Sequence, residues 1–453
     1  MAPHRPANRP TPTHPRHPTN PHRRDSAPTA SIGAGLRRRS LMIGGLGLAV
    51  AGVAAACAGQ SPATSTTAAG GATPAATTPT ALEPISPTYH EPAASNTALS
   101  AGTWSGAIGD KEVTLKGAYI VDGVTATLDG GTWESTTADQ AVFLVVNGGS
   151  LTLTNAAVVK SGDATSNGNT GVDDSYNFYG LNSAVVVVGA GSSVSLNETT
   201  LETTSSGSNA VVATGTATAT VTACAVSTSG ESSRGLHATY EGVITASDLS
   251  INTLGAHCAA VATDRGNGTV TVEGTNTFTT AGDGSPLIYS TGAITVSGLT
   301  GSATGAEAVV VEGKNQAAVS DSTLTTGSRR AGIMLYQSMS GDAADADAAA
   351  QASTLTLTGV SLTCTDPVPL LYVTNTTSQA TLTDCTLSTS GALASADEDR
   401  WGTSGSNGGT LALTLDATTS DGAITAGSTS SITVTAINGG GATGTTSGSV
   451  TVS

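Results

Sequence analysis

The chain has 453 residues, of which 3% are aromatic and 11% are charged, while glycine alone supplies 56 positions. Compact domains usually fill a core with large side chains and cover it with charge, so this composition indicates an elongated fold with a small, regular interior. From residue 57 onward the chain carries nine basic and 32 acidic residues, a formal net charge of −23, and such a surface is expected to repel nucleic acid.

Residues 1–57 have the composition of a signal and targeting segment. An apolar run at residues 43–56 is interrupted by glycines, which makes it too short to span a bilayer stably but suitable as the apolar region of an export signal. Arg38 and Arg39 precede a serine and a leucine, and this pattern resembles the twin-arginine export motif. An ordinary basic segment of the general secretion route is the alternative.

Cys57 closes the sequence VAAAC, which resembles a lipobox, whose cysteine is diacylated and becomes the new N-terminus. Ala54 stands where a lipobox usually has leucine, so simple cleavage after small residues is the alternative. Residues 58–98 are rich in Ser, Thr, Ala and Pro and almost free of charge, which predicts a disordered linker. We therefore expect an exported, extracytoplasmic protein that contacts the membrane only through an N-terminal lipid.

Residues 99–453 contain a repeat of about two dozen residues. Seven segments align without internal gaps, and each is followed by further short phrases that alternate Val, Leu or Ile with Ser or Thr. The segments are residues 209–215, 234–240, 258–264, 286–292, 307–313, 331–337 and 368–374. Alternation with a period of two indicates strands, and Gly, Asn and Asp between them indicate corners. This domain is therefore predicted to be an all-β, right-handed parallel β-helix of about 12 coils with three short strands per coil.

The alternation divides the aligned strand into two inward and two outward columns. The inward columns are Val211, Leu236, Ala260, Ile288, Val309, Ile333 and Leu370, and Ala213, Ala238, Ala262, Ser290, Val311, Leu335 and Tyr372. The outward columns are Val212, His237, Val261, Tyr289, Val310, Met334 and Leu371, and Thr214, Thr239, Thr263, Thr291, Glu312, Tyr336 and Val373. The cysteines after Cys57 occupy no matching positions in adjacent coils, so they are predicted to be buried, unpaired thiols. No metal-ligand spacing is present, and neither a metal nor a cofactor is expected.

Three insertions interrupt the repeat, and all of them border the aligned strand. Residues 161–182 lengthen the corner that enters it, and residues 338–353 and 397–409 lengthen the corner that leaves it. Because loops at the two ends of one strand can wall a groove above it, we predict a ligand groove there, with solvated loops as the alternative. Its predicted floor is His237, Tyr289, Glu312, Met334 and Tyr336, and its predicted rims are Asp163, Asp173, Asp174, Tyr176, Tyr179 and Trp401. Aromatic faces and carboxylates suit sugars, so the expected partner is a polysaccharide or cell-surface glycan.

Repeat phrases such as SRGL at residues 233–236, EGKN at 312–315 and LYQS at 335–338 resemble those of adhesin-like, pectate-lyase-type β-helix proteins of bacterial cell surfaces. The resemblance covers roughly residues 100–440 and implies the fold and, more loosely, adhesion or glycan contact. A polysaccharide lyase or glycoside hydrolase is the alternative, but the predicted outward columns hold one carboxylate, Glu312, where such enzymes use calcium-binding aspartates or paired carboxylates. No catalytic residue is therefore assigned. A purely structural surface spacer is the third interpretation.

Overall fold

A computed structural model describes residues 90–168, 171–338, 351–400 and 405–453. Nearly all regular structure in these ranges is β-strand, and the strands form three long parallel sheets, named A, B and C here. In each coil the chain passes through one strand of sheet A, one of sheet B and, in most coils, one of sheet C before it returns to sheet A one level higher. The predicted parallel β-helix of about 12 coils is confirmed.

The strands are numbered in chain order. Sheet A contains β1 (Gly102–Ile108), β2 (Lys111–Asp122), β5 (Ala141–Val146), β10 (Val185–Val188), β13 (Val211–Thr214), β16 (Leu236–Thr239), β19 (Val261–Asp264), β22 (Ile288–Ser290), β25 (Val309–Glu312), β28 (Ile333–Tyr336), β31 (Leu371–Thr374), β34 (Ala394–Ala396), β37 (Ile424–Ala426) and β40 (Thr446–Ser447). Sheet B contains β3 (Thr125–Asp129), β6 (Ser150–Thr154), β11 (Ser193–Asn197), β14 (Thr218–Thr222), β17 (Val243–Ser247), β20 (Thr269–Glu273), β23 (Ala293–Ser297), β26 (Gln316–Ser320), β29 (Ser353–Thr358), β32 (Thr377–Thr383), β35 (Thr410–Asp416), β38 (Ser431–Ile437) and β41 (Val450–Val452).

Sheet C contains β4 (Thr132–Ser135), β7 (Ala157–Lys160), β12 (Thr200–Thr203), β15 (Ala225–Thr228), β18 (Ser250–Thr253), β21 (Asn276–Thr280), β24 (Leu299–Ala303), β27 (Thr323–Thr326), β30 (Ser361–Cys364) and β33 (Thr386–Ser388). The short pairs β8 (Asn167–Gly168) with β9 (Gly171–Val172) and β36 (Thr419–Ser420) with β39 (Gly441–Ala442) lie outside the three sheets. A single turn of helix, α1 (Ser175–Tyr179), occurs in the first insertion.

The core runs through the middle of the coils, because alternate residues of each strand point inward. In β17, for example, Ile244 and Ala246 are buried while Val243 and Thr245 are exposed. Each fully buried aliphatic side chain contributes roughly 1.5–3 kcal/mol, and stacking repeats this contribution in every coil. The corner between sheets B and C commonly contains one residue with a left-handed backbone, such as Asp248 at φ 58°, a conformation that Asp and Asn tolerate better than most residues.

The ordered fold begins before the predicted boundary at residue 99. The backbone N–H of Ala93 donates to Asp129 O at 2.9 Å, and that of Thr97 donates to Thr127 O at 3.1 Å. Residues 93–97, which the sequence assigned to the disordered linker, therefore lie along β3. The β1–β2 pair that follows is antiparallel, unlike the stacked coils.

The strand register corrects two of the seven aligned segments. Leu236 pairs with Val261 and Ile333 pairs with Leu371, so the predicted inward positions of Ala260 and Leu370 are wrong by one residue. In both segments the corner before the strand is one residue longer than a gap-free alignment allows. The outward columns consequently contain Ala262, Asp264 and Tyr372, so the predicted inward positions of Ala262 and Tyr372 are wrong, and so is the prediction of a single outward carboxylate.

The cysteines in the described ranges confirm the prediction of buried, unpaired thiols. Cys224, Cys258, Cys364 and Cys385 are all buried and free. Burial raises the pKa of the Cys224 thiol to about 11 and that of Cys258 to about 12, which keeps both protonated at neutral pH.

Candidate functional site

The first insertion, residues 161–182, lies against the outer face of sheet A in the N-terminal half of that sheet. His237 points outward from β16 as predicted, but its side chain is fully buried, and its Nε2 lies 3.1 Å from Asn177 O in α1. Thr239, two residues on, is also buried and donates to Phe178 O at 2.9 Å. Burial, followed by the charge of Arg234, holds the pKa of His237 well below its usual value. The assignment of His237 to an open groove floor is therefore wrong, because the insertion lies over it.

Tyr176 anchors this insertion instead of forming a rim. It is 2% exposed, and its hydroxyl donates to the Asp139 carboxylate while it accepts the backbone N–H groups of Thr165 and Ser166, each at 3.0 Å. Asp139 lies in the corner before β5, so these bonds tie the insertion to the preceding coil. The prediction that Tyr176 is available to a ligand is wrong, because its ring is enclosed.

A buried lysine holds the base of the same insertion. Lys160, the last residue of β7, has no exposed surface, and its Nζ donates to Thr137 O at 3.1 Å and to Gly162 O. Asn182, at the other end of the insertion, donates to Gly162 O at 2.8 Å. Burial lowers the pKa of Lys160 to about 8, although the charges of Asp163 and Asp139 oppose this effect.

The remaining predicted rim residues of this insertion form its internal contacts. Asp163 accepts the N–H of Ser206 at 2.9 Å, Asp173 accepts the N–H of Ser175 at 2.9 Å, and Tyr179 stacks on Tyr240 with ring centroids 5.7 Å apart. Asp174 lies at the start of α1, where burial raises its pKa against the opposing charges of two arginines. None of Asp163, Asp173, Asp174 and Tyr179 lines the open groove described next.

The outer face of sheet A opens where the insertion ends. A groove of about 900 Å³ lies over β22, β25 and β28, and Tyr289, Val310, Met334 and Tyr336 form its floor. The groove thus contains three of the five floor residues predicted from the sequence, Tyr289, Met334 and Tyr336. One wall consists of the corners that lead from sheet C to sheet A, and it includes His257, Asp283, Pro286, Glu307, Arg329 and Arg330. The walls were predicted in the insertions, and these corners were not predicted to contribute to them.

Four arginines line the groove. They are Arg234, Arg329, Arg330 and Arg400, and the chain from residue 57 onward contains only nine basic residues in total. Arg234 forms a salt bridge with Asp264 at 3.3 Å and lies 5.8 Å from the centroid of the Tyr289 ring. Arg400 belongs to the third insertion, whose residue Trp401 lies outside the described residues. A pair of adjacent arginines, Arg329 and Arg330, is unusual in a chain with so few basic residues, and this feature of the sequence could have marked the site.

Glu312 lies beneath the floor and joins its two tyrosines. Its carboxylate is 5% exposed and accepts hydrogen bonds from the hydroxyls of Tyr289, Tyr336 (2.7 Å) and Ser338. Burial and then the charge of Glu312 raise the pKa of both tyrosines well above the usual range. Glu312 was predicted as a floor residue, but it is buried and does not line the groove, so this assignment is wrong.

Tyr372 extends the outward column beyond Met334, with which it pairs in register. Burial raises its pKa to about 12, and the charge of Asp399 adds to this effect. Tyr372 was predicted to point inward because its segment was aligned one residue out of register.

The described ranges contain no group of three or more His, Cys, Asp or Glu side chains that could hold a metal ion. Within the same ranges, no helix has the length and apolar character needed to cross a membrane. Arg38, Arg39 and Cys57, the predicted export and lipidation residues, lie outside the described residues. In comparisons with known proteins, no protein-family model, no curated protein and no solved structure matches this chain.

Proposed function

We propose that this chain is an exported, lipid-anchored surface protein that binds an acidic glycan in the groove over β22, β25 and β28 without cleaving it. The observation that carries the proposal is the concentration of four of the nine basic residues beside two tyrosines, in a domain that is otherwise strongly acidic. An acidic surface repels a polyanion at long range, so a local cluster of arginines gives such a ligand one place to bind.

The chemistry of the groove suits a charged sugar in two ways. The half-buried rings of Tyr289 and Tyr336 offer flat apolar surface for the C–H faces of a sugar ring. The guanidinium groups of Arg329 and Arg330 offer planar pairs of N–H donors, which match carboxylate, sulfate or phosphate oxygens. Met334, two residues before Tyr336 on β28, supplies an adaptable apolar contact.

The two outward carboxylates favour binding over catalysis. Asp264 is paired with Arg234, and Glu312 is buried and already accepts three hydroxyl hydrogen bonds. A general acid or base must reach the proton that it transfers, and neither carboxylate lines the groove. This arrangement supports a groove that holds a chain of sugars and releases it intact.

Glycoside hydrolysis is the second candidate, because two other carboxylates, Asp283 and Glu307, line the wall of the groove. Burial raises the pKa of Glu307, and the charge of Asp283 adds to this effect. A carboxyl group with a raised pKa is the kind of group that glycosidases use as the general acid. Incubation with a bound polysaccharide should yield no new reducing ends and no unsaturated products. If products form and Glu307→Gln abolishes them, the protein is a hydrolase.

A matched pair of polymers tests the binding proposal. Dextran and dextran sulfate share one backbone, and only the second is anionic. We expect the soluble fragment from residue 90 to bind dextran sulfate with an affinity that falls as salt is added, and to bind dextran at least tenfold more weakly. Equal binding to both polymers, or binding to neither polymer nor to a carboxylated polysaccharide, would contradict the proposal.

A matched pair of variants locates the site. Arg329→Gln with Arg330→Gln removes two positive charges from the groove wall, and Lys111→Gln with Lys116→Gln removes two exposed charges from β2. The arginine pair should lose at least tenfold in affinity for dextran sulfate, whereas the lysine pair should stay within about twofold. Similar losses in both would indicate a response to net charge alone and would remove the groove from the proposal.

A further inference from the structure

Two tyrosines from different coils meet at one carboxylate. Tyr289 lies on β22 and Tyr336 on β28, with β25 between them, so they are separated by about 10 Å along the stacking direction. Glu312 comes from the intervening strand, and its Oε2 accepts the hydroxyl hydrogens of both tyrosines. Its other oxygen, Oε1, accepts the hydroxyl hydrogen of Ser338. The position of each ring is therefore linked to that of the other through a single side chain.

We propose that Glu312 is a positioning residue, which fixes the rings of Tyr289 and Tyr336 as a rigid platform and does not contact the ligand itself. The contribution of Glu312 to ligand binding rests on the proposed function, whereas its effect on the positions of the two rings is independent of any ligand. The carboxylate is 5% exposed, so a polymer lying in the groove meets the rings before it can reach Glu312.

Fixed rings should bind a ligand more tightly than mobile ones. An exposed tyrosine samples several rotamers, and a ligand that stacks on it must select one of them, which weakens binding. Here each hydroxyl is held at its far end, so the ring is already fixed before the ligand arrives. A buried carboxylate in turn needs hydrogen-bond donors, and the three hydroxyls provide them. The platform and its support therefore stabilise each other.

The sign of the effect on binding separates this role from simple electrostatics. Glu312→Gln removes a negative charge next to a groove that is proposed to bind anions. If charge alone mattered, the variant would bind dextran sulfate more tightly. If Glu312 positions the rings, the variant should bind at least fivefold more weakly, because a neutral amide oxygen is a weaker hydrogen-bond acceptor than a carboxylate oxygen and holds the two hydroxyls less firmly. Glu273→Gln, the same change at an exposed residue of β20, serves as the control and should leave affinity within twofold.

A spectroscopic measurement tests the inference without a ligand. Ultraviolet titration of the phenols in wild-type protein should show tyrosines that ionise well above the usual range, and Glu312→Gln should move two of them to lower pH, since the negative charge that raises their pKa is lost. In a Tyr289→Phe, Tyr336→Phe background the same substitution should have no such effect. Tyr372, on the next strand of the sheet, is an internal control whose titration should not change.

The outcomes are separable. Unchanged tyrosine titration in folded Glu312→Gln, or tighter binding of dextran sulfate by it, overturns the positioning role. Absence of polyanion binding by the wild type, together with the expected titration change, refutes the proposed function and leaves the role of Glu312 in the tyrosine pair intact. If Glu312→Gln does not fold, Tyr336→Phe keeps the ring and removes one hydrogen bond, and its affinity should fall at least threefold; unchanged affinity contradicts the inference.

Discussion

Replacement of Lys160 by methionine tests how the first insertion is held in place. Methionine has a similar length but no charge, and the amine of Lys160 is fully buried with its Nζ bound to Thr137 O and Gly162 O. In the folded state burial lowers its pKa from 10.5 to about 8, whereas in the unfolded chain it should keep the ordinary value. The unfolded state therefore binds more protons than the folded state between pH 8 and 10.5.

The sign and size of the effect follow from this difference. Because the unfolded state holds the extra proton, the free energy of unfolding should rise as the pH increases through this window. One pKa step corresponds to about 1.4 kcal/mol, so the full difference is about 3 kcal/mol, of which about 2 kcal/mol falls between pH 7 and 9.5. The Met variant lacks the titrating group and should lose this rise.

Denaturant unfolding of the fragment from residue 90 at pH 7 and 9.5 measures the effect. Between pH 7 and 9.5, the free energy of unfolding of the wild type should rise by about 2 kcal/mol relative to that of Lys160→Met. Lys116→Met, at an exposed lysine of β2, should show no such shift. Parallel pH dependence in the wild type and the Lys160 variant would refute the assignment of a buried, partly desolvated amine.

Three further predictions concern the core, the thiols and the anchor. Val309→Asp places an unpaired charge in the core and should lower the free energy of unfolding, measured with denaturant, by several kcal/mol. Thr245→Asp, on the outer face of sheet B, should change it by less than about 0.5 kcal/mol. Equal effects of the two variants would contradict the strand orientation. Because burial raises the pKa of the Cys224 and Cys258 thiols, a thiol reagent at pH 8 should not label them until denaturant is added, and rapid labelling of the native protein would contradict their burial. Cys57→Ala should release the protein into the medium in a fractionation experiment, and membrane retention of this variant would exclude lipidation.

The fold could be predicted because its determinants are local and repeated. Inward positions such as Val211, Leu236 and Val309 follow from alternation within each strand, and the stacking of coils repeats the same pattern. The register of two segments could not be predicted, because the length of a corner leaves little trace in a sequence of Ser, Thr, Ala and Gly. A shift of one residue exchanges the two faces of a strand, which is why Asp264 and Tyr372 were missed.

The site was predicted only in part, because burial of an outward side chain depends on what packs against the sheet from elsewhere. Tyr289, Met334 and Tyr336 lie in the groove as alternation predicts. His237 and Tyr176 do not, since the first insertion folds over one and encloses the other. No periodic pattern shows in which direction an irregular segment folds. Arg329 and Arg330 were not predicted, although a pair of adjacent arginines is unusual in a chain with so few basic residues after residue 57.

The parallel stacking of coils fixes the distances between groove residues that lie on different coils. Tyr289 and Tyr336 are separated by a whole number of strand spacings, so removal or duplication of one coil would change the separation of the rings by about 4.8 Å and by no smaller step. The polymer that fits such a groove would therefore change in discrete lengths as coils are gained or lost. If the proposed binding is correct, a single in-frame duplication of a coil would change which ligand lengths fit the groove, while the residues of the core stay the same.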